Sequence, residues 1–183
     1  MKRRHAMPFG AEYLGNERTR FRIWAPAVHQ LALELPSEGA ARTIAMARTP
    51  TGWFECTTDA APGTAYRYRL PDGHAVPDPA SRYNPEDVHG HAEVVDPEQY
   101  VWRDSGWRGR PWHETVIYEL HVGTATAEGT YAALERRLDA LAELGVTALE
   151  LMPLADFPGA RNWGYDGVLP YAPDASYGTP DEL

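Results

Sequence analysis

Near the C-terminal end of the chain, Arg161-Asn162-Trp163-Gly164-Tyr165-Asp166-Gly167 gathers side chains suited to carbohydrate chemistry. An aromatic ring stacks on the apolar face of a sugar, and a neighbouring carboxylate accepts hydrogen bonds from its hydroxyls. This loop, with Asn162, Trp163, Tyr165 and Asp166, is therefore the leading binding candidate. The same spacing fits a structural turn around a buried Tyr, and spacing alone leaves both readings open. Glu119 and His121 share a side-chain orientation in an apolar, β-branched stretch, Val116–Val122. His121 is nearer the end of that stretch and is the better site candidate. Glu119 is expected in a buried, satisfied pair, and Glu150 and Asp156 are expected to be structural. His89-Gly90-His91 lies near Asp87 and Glu93, but no second Cys/His cluster completes a metal site, so a surface loop and no metal are expected. With no phosphate-binding Gly-rich loop and no Gly-x-Ser-x-Gly elbow, no cofactor is expected either.

These residues need a scaffold, and residues 113–183 read as the opening of one. Val116–Gly123 reads as a strand. Thr130 can cap a helix whose Leu134, Leu138, Leu141 and Leu144 fall at helical spacing, with Gly145 as its stop. Ala148–Met152 reads as the next strand. Two strands joined through one helix should be parallel, with the Trp163–Gly167 loop beyond the second. In a parallel α/β barrel the chemistry sits on the loops that follow the strands.

The first part of the chain has another rhythm. From residue 8 to 76, polar and apolar residues alternate in short runs: Thr19–Trp24, Leu31/Leu33/Leu35, and Tyr66/Tyr68 opposed by Arg67/Arg69. Turn signals separate the runs, at Ala25-Pro26, Ser37-Glu38-Gly39, Pro50-Thr51-Gly52, Ala61-Pro62-Gly63 and Pro71-Asp72-Gly73. A small β-sandwich is predicted. Residues 77–112 carry little periodicity and many aromatics. They are expected to form an ordered connection anchored by Tyr83, Tyr100, Trp102, Trp107 and Trp112.

Composition narrows the function class. Of 183 residues, 43% are hydrophobic and 23% charged, which suits a globular protein. No apolar run reaches the roughly 18 residues of a membrane span, and the basic start (Met1–Gly10) has no apolar stretch behind it, so neither a transmembrane helix nor a secretory signal is expected. The single cysteine, Cys56, excludes an internal disulfide and is compatible with the cytoplasm; it is expected as a small buried residue. Residues 1–112 hold 14 Lys and Arg against 14 Asp and Glu, whereas residues 113–183 hold 3 against 12. An acidic surface without a basic stripe argues against nucleic acid and anionic membranes as partners, and suits a neutral ligand such as a sugar.

The order of several short pieces resembles the α-amylase superfamily, glycoside hydrolase family 13. The pieces are Pro8–Ala11, Phe21–Pro26, Pro77–Ser81 with Val88-His89-Gly90, Trp107–Arg110, Val116–Gly123, Glu143–Pro153 and Trp163–Gly167 with Tyr177-Gly178. The run Pro77–Ser81, Val88–Gly90 and Trp107–Arg110 is most similar to the malto-oligosyltrehalose trehalohydrolases within it. The resemblance implies an N-terminal sandwich of the carbohydrate-binding-module-48, immunoglobulin-like type at 8–76, a connection at 77–112, and the first two βα units of an incomplete (β/α)₈ TIM barrel at 113–183. It implies cleavage of the α-1,4 bond beside the trehalose end of malto-oligosyltrehalose, by a retaining mechanism that uses an Asp nucleophile and a Glu acid/base. Neither acid maps onto this sequence, and both are expected on later strands. Tyr165 matches the family's stacking residue at the subsite of the attacked sugar, Asp166 would support that subsite, and His121 lines the same pocket less certainly.

Thr179-Pro180-Asp181-Glu182 is a helix-start signal with only Leu183 after it. A closed barrel takes about 250 residues. The expectation is therefore a chain without its catalytic acids, inactive alone, with a self-sufficient sandwich and a loose barrel part. Two rival readings stand beside it. One is the front of a branching or debranching enzyme. The other is a protein that only binds α-glucan through its sandwich, with Trp24 and Trp53 as a possible platform or, more plainly, as core residues.

Overall fold

In the computed structural model, residues 7–37 and 39–183 are described. The basic start at residues 1–6 and Glu38 of the predicted turn lie outside them. The predicted sandwich is present as two facing sheets. The first runs β1-β2-β6-β5, from β1 (Gly10–Gly15), β2 (Arg18–Trp24), β5 (Ala47–Arg48) and β6 (Trp53–Asp59). The second runs β4-β3-β7-β8, from β3 (Ala32–Leu35), β4 (Arg42–Ala45), β7 (Ala65–Arg69) and β8 (Ala75–Val76), with β9 (Ala92–Glu93) also on β7. All these pairings are antiparallel. Alternation does what period two requires: Thr19 and Phe21 point inward on β2, Tyr66 and Tyr68 on β7. The sheets meet where the Phe21 and Tyr66 rings cross edge to face, with centroids 4.8 Å apart.

The sandwich continues past the expected boundary at residue 76. Strand β9 joins β7, and Ala92 and Val94 are buried in the sandwich core. The cause is Asp78. Its buried carboxylate accepts the Tyr66 hydroxyl at 2.8 Å, the Tyr68 hydroxyl at 3.3 Å and the Ala80 N–H at 2.9 Å. Burial raises the Asp78 carboxyl, and those donors pull against it. A buried carboxylate left unpaired would be costly, so Asp78 draws the connection onto the sheet that carries both tyrosines.

The predicted aromatic anchors of the connection are mostly not anchors. Tyr83 is half-buried, but Tyr100, Trp102, Trp107 and Trp112 are exposed. Here the backbone makes local turns, such as Trp107 N–H to the Asp104 carbonyl at 2.8 Å, which carry the indoles outward. Cys56 is half-buried and not fully buried; burial, with the charge of Glu55, pushes its thiol up to about 11.

After a single helical turn at Trp112–Glu114, β10 (Ile117–Leu120) pairs in parallel with β11 (Ala148–Leu151), as predicted. The first strand is shorter than expected, because His121 leaves the ladder to begin a one-turn helix, α1 (Val122–Ala125). The predicted single helix is two pieces, α2 (Tyr131–Glu135) and α3 (Leu138–Glu143). Thr130 caps α2 by accepting the Ala133 N–H at 3.2 Å. The break arises where Arg137 N–H bonds the Leu134 carbonyl at 2.8 Å, a tight three-residue turn. Leu138 and Leu144, expected on the packed face, are exposed. So is Glu119, expected in a buried pair: it lies opposite Glu150 across the ladder, on a face that no other element among the described residues covers.

The sequence pattern also missed a hairpin. Strand β12 (Ala155–Asp156) pairs antiparallel with β13 (Leu169–Pro173), and the Trp163–Gly167 loop lies between them. This hairpin is fastened to the first half of the chain. Leu169 and Ala172 bury against Val88, and Gly159 N–H donates to Asp87 Oδ2 at 2.9 Å. Tyr171 meets Phe9 at 5.4 Å, and Phe9 in turn lies 6.4 Å from Trp53.

Candidate substrate-facing loop

The loop that holds Tyr165 is tied to the ends of both parallel strands. Beyond β10, His121 Nε2 lies 2.7 Å from the Asn162 carbonyl oxygen. Beyond β11, Gly164 packs on Pro153: a Cβ at Gly164 would fall 3.0 Å from Pro153 Cδ, and the residue has φ +96°, so glycine is needed on both counts. Between the ties, Asn162 Oδ1 accepts the backbone N–H groups of Gly164 at 2.5 Å and Tyr165 at 3.1 Å. Asn162 thus closes its own turn, the habit of this side chain where the backbone must reverse.

With the backbone held, the side chains face solvent. Trp163 is 81% exposed and Tyr165 is 76% exposed, and Asp166 is exposed beside them. The alternative of a turn around a buried Tyr therefore does not hold. An indole and a phenol each bury 150–250 Å² when packed. Leaving both in water forgoes roughly 2–3 kcal/mol apiece, which makes an exposed aromatic pair on a fixed backbone informative.

The five predicted residues therefore separate into two groups. His121 and Asn162 are brought into contact with each other and are only partly exposed. Trp163, Tyr165 and Asp166 are each exposed to solvent. Tyr177 belongs to the same assembly, although sequence reasoning assigned it no site role. Its hydroxyl lies 3.4 Å from His121 Nε2, and its ring meets those of His121, Tyr131 and Phe157 within 6.0 Å. Its signal in the sequence was Gly123, where a Cβ would fall 3.0 Å from both His121 Cε1 and Tyr177 Cε1.

A buried acid pair braces the hairpin beneath the loop. Asp174 Oδ2 accepts the Phe157 N–H at 3.1 Å, and its Oδ1 accepts the Ser176 N–H at 2.8 Å. Asp156 is buried beside it. Burial first, and then the charge of Asp174 with the hydrogen bond between the two acids, push Asp156 up to about 7. Asp156, expected to be structural, lies buried in strand β12 of the hairpin. His91 Nδ1 pairs with Glu86 at 2.9 Å, and among the described residues no cluster of His, Cys, Asp and Glu could hold a metal ion. Trp24 is exposed on the sandwich, with its indole N–H on the Thr51 carbonyl, while its cross-strand partner Trp53 lies under the Arg22 guanidinium at 4.4 Å. No helix among the described residues is long and apolar enough to cross a membrane.

Residues 8–97 match the family profile of carbohydrate-binding module 48 (isoamylase N-terminal domain). The chain is 44% identical over 175 residues to a malto-oligosyltrehalose trehalohydrolase of Saccharolobus solfataricus, an alignment that covers 95% of this chain and 30% of that enzyme. Among solved structures it superposes with a TM-score of 0.90 and 47% identity on a Salmonella typhimurium protein assigned by name as an alpha amylase, covering 97% of this chain and 30% of the other. It superposes with a TM-score of 0.76 and 25% identity on a pullulanase of Anoxybacillus sp. LM18-11 crystallised with maltotetraose, covering 100% of this chain and 31% of that one. The chain spans about 30% of the length of the curated relatives it matches.

Proposed function

We propose that this chain is the sandwich and the first barrel strands of a cytoplasmic trehalose-forming glycosidase, which cleaves the α-1,4 bond beside the trehalose unit of malto-oligosyltrehalose. The observation that carries the reading is the loop tethered at the ends of two parallel strands, on which Tyr165, Trp163 and Asp166 are exposed. Similarity to trehalohydrolases along nearly the whole chain supports the choice of substrate. In this reading β10 and β11 open a (β/α)₈ barrel, and the loop faces its active cavity. Tyr165 stacks on the sugar that is attacked, Asp166 accepts hydrogen bonds from its hydroxyls, and Trp163 widens the apolar platform. The reaction is retaining, with an Asp nucleophile and a Glu acid/base. Neither role is given to a residue of this chain, and the chain by itself is inactive.

A second reading, a debranching enzyme, draws on the likeness to the maltotetraose-bound pullulanase. Product analysis separates the two. Protein expressed from the complete reading frame should release free trehalose from malto-oligosyltrehalose. Turnover of branched glucan with no trehalose release would favour the debranching alternative.

A further inference from the structure

We infer that His121 is a positioning residue for the Tyr165 platform: as its Nε2–H tautomer it donates to the Asn162 carbonyl and holds the turn that aims Tyr165, instead of touching saccharide itself. The inference rests on the reading of Tyr165 as a ring that stacks on glucan.

A carbonyl oxygen can only accept, so the 2.7 Å contact requires the proton on Nε2. The other nitrogen, Nδ1, is buried with no hydrogen-bond partner among the described residues. With no hydrogen-bond partner at Nδ1, no acceptor there competes with the Asn162 carbonyl for the proton. The ring has little freedom to turn. Tyr177 meets it edge-on at 5.9 Å, its hydroxyl lies 3.4 Å from Nε2, and the backbone of Gly123 passes so close that a methyl group there would touch both rings. From this fixed ring a line of hydrogen bonds runs outward. His121 Nε2–H holds the Asn162 carbonyl, and the Asn162 side chain holds the N–H groups of Gly164 and Tyr165. Tyr165 itself is three-quarters exposed and has no packing of its own to fix it. The backbone that carries it is thus set two links away along this line, at the end of β10. An aromatic platform is useful in so far as its orientation is settled before the ligand arrives.

Nitrogen NMR of the 183-residue chain tests the tautomer, and amide hydrogen exchange tests the tether. The His121 ring should show its proton on Nε2. His121→Leu should speed exchange at the Gly164 and Tyr165 amides about tenfold or more, while Leu134 N–H inside α2 keeps its native rate. His121→Gln, whose side-chain N–H reaches the same carbonyl, should restore protection at both. If the Leu variant also loses protection at Leu134, His121→Gln carries the test: native exchange at the Gly164 and Tyr165 amides is expected, and fast exchange at both with Leu134 still protected overturns the inference. A proton on Nδ1, or native exchange at both amides in the Leu variant, overturns the inference. Titration with maltotetraose is read separately. Native Tyr165 ring signals should shift, and the Leu variant should bind about tenfold more weakly, with Gln again restoring affinity. If the native Tyr165 ring does not respond, the glucan reading fails while exchange still judges the tether. Native affinity in the Leu variant overturns the positioning role.

Discussion

The sandwich and the segment after it differ in where they place their large apolar side chains. In the sandwich, Phe21, Tyr66 and Tyr68 are fully buried, and the acids among them are answered. Asp78 accepts three donors, and Glu34, buried on the outer side of β3, is gripped by the Arg67 and Arg69 guanidiniums. Burial alone would raise the Glu34 carboxyl, but the hydrogen bonds and charges of the two arginines outweigh it and hold it below the usual carboxylate range. In residues 113–183 large apolar side chains such as Ile117, Tyr118, Leu138 and Leu144 stay exposed. Buried polar atoms without a hydrogen-bond partner among the described residues occur in both regions: Arg20 Nε, Arg22 Nε and both side-chain amide atoms of Asn84 in the first, His121 Nδ1, Tyr131 Oη and Asn162 Nδ2 in the second. A region selected only for stability satisfies its buried polar groups. In the second region two of these atoms, on His121 and Asn162, adjoin the Tyr165 loop, where functional constraints are expected to compete with stability.

The contrast breaks most easily at the sandwich core. Phe21→Ala removes the ring at the crossing of the two sheets and should cost about 3–5 kcal/mol in a chemical denaturation curve. A loss near zero would mean that the sandwich core is not the stable body of the molecule.

The next effect is a pH dependence of the second region. Asp156 titrates near its ordinary 3.8 when unfolded and at about 7 when folded. The folded protein therefore keeps a proton that the unfolded chain has released. Its stabilising contribution is complete below pH 4 and is lost as pH rises towards 7. The hairpin region should unfold at a higher temperature at pH 5 than at pH 8, a stability difference on the order of 2 kcal/mol, and Asp156→Asn should flatten it. The depressed carboxyls of Glu34 and Glu86 act below that window and leave the comparison unaffected.

These effects lie in parts of the molecule that the sequence disclosed unequally. Strand β2 was legible because Thr19 and Phe21 alternate with arginines, and the parallel pair β10–β11 because a capped helical stretch separates the β-branched run Val116–Val122 from the short run Ala148–Met152. Local pattern failed wherever a distant partner decides. Nothing near Asp78 announces that its partners are Tyr66 and Tyr68, so the extension of the sandwich to Val94 was hidden. The leucines of residues 134–144 promised one helix, but the turn at Arg137 divides it. The aromatics at 100, 102, 107 and 112 looked like anchors by type, and exposure depends on what packs over them. The loop residues were legible by type at Tyr165 and Asp166. The dependence of Asn162 on His121, 41 residues earlier, was not.

The smallest expected effect on stability belongs to the loop's outer face, and it carries the central claim. Tyr165 buries little, so Tyr165→Ala should shift folding stability by no more than about 0.5 kcal/mol. Trehalose release from malto-oligosyltrehalose, measured on protein from the complete reading frame, should nevertheless fall about a hundredfold in kcat, because the attacked sugar loses the ring that orients it. Unchanged trehalose release together with a large drop in melting temperature would contradict the account and make Tyr165 a structural residue.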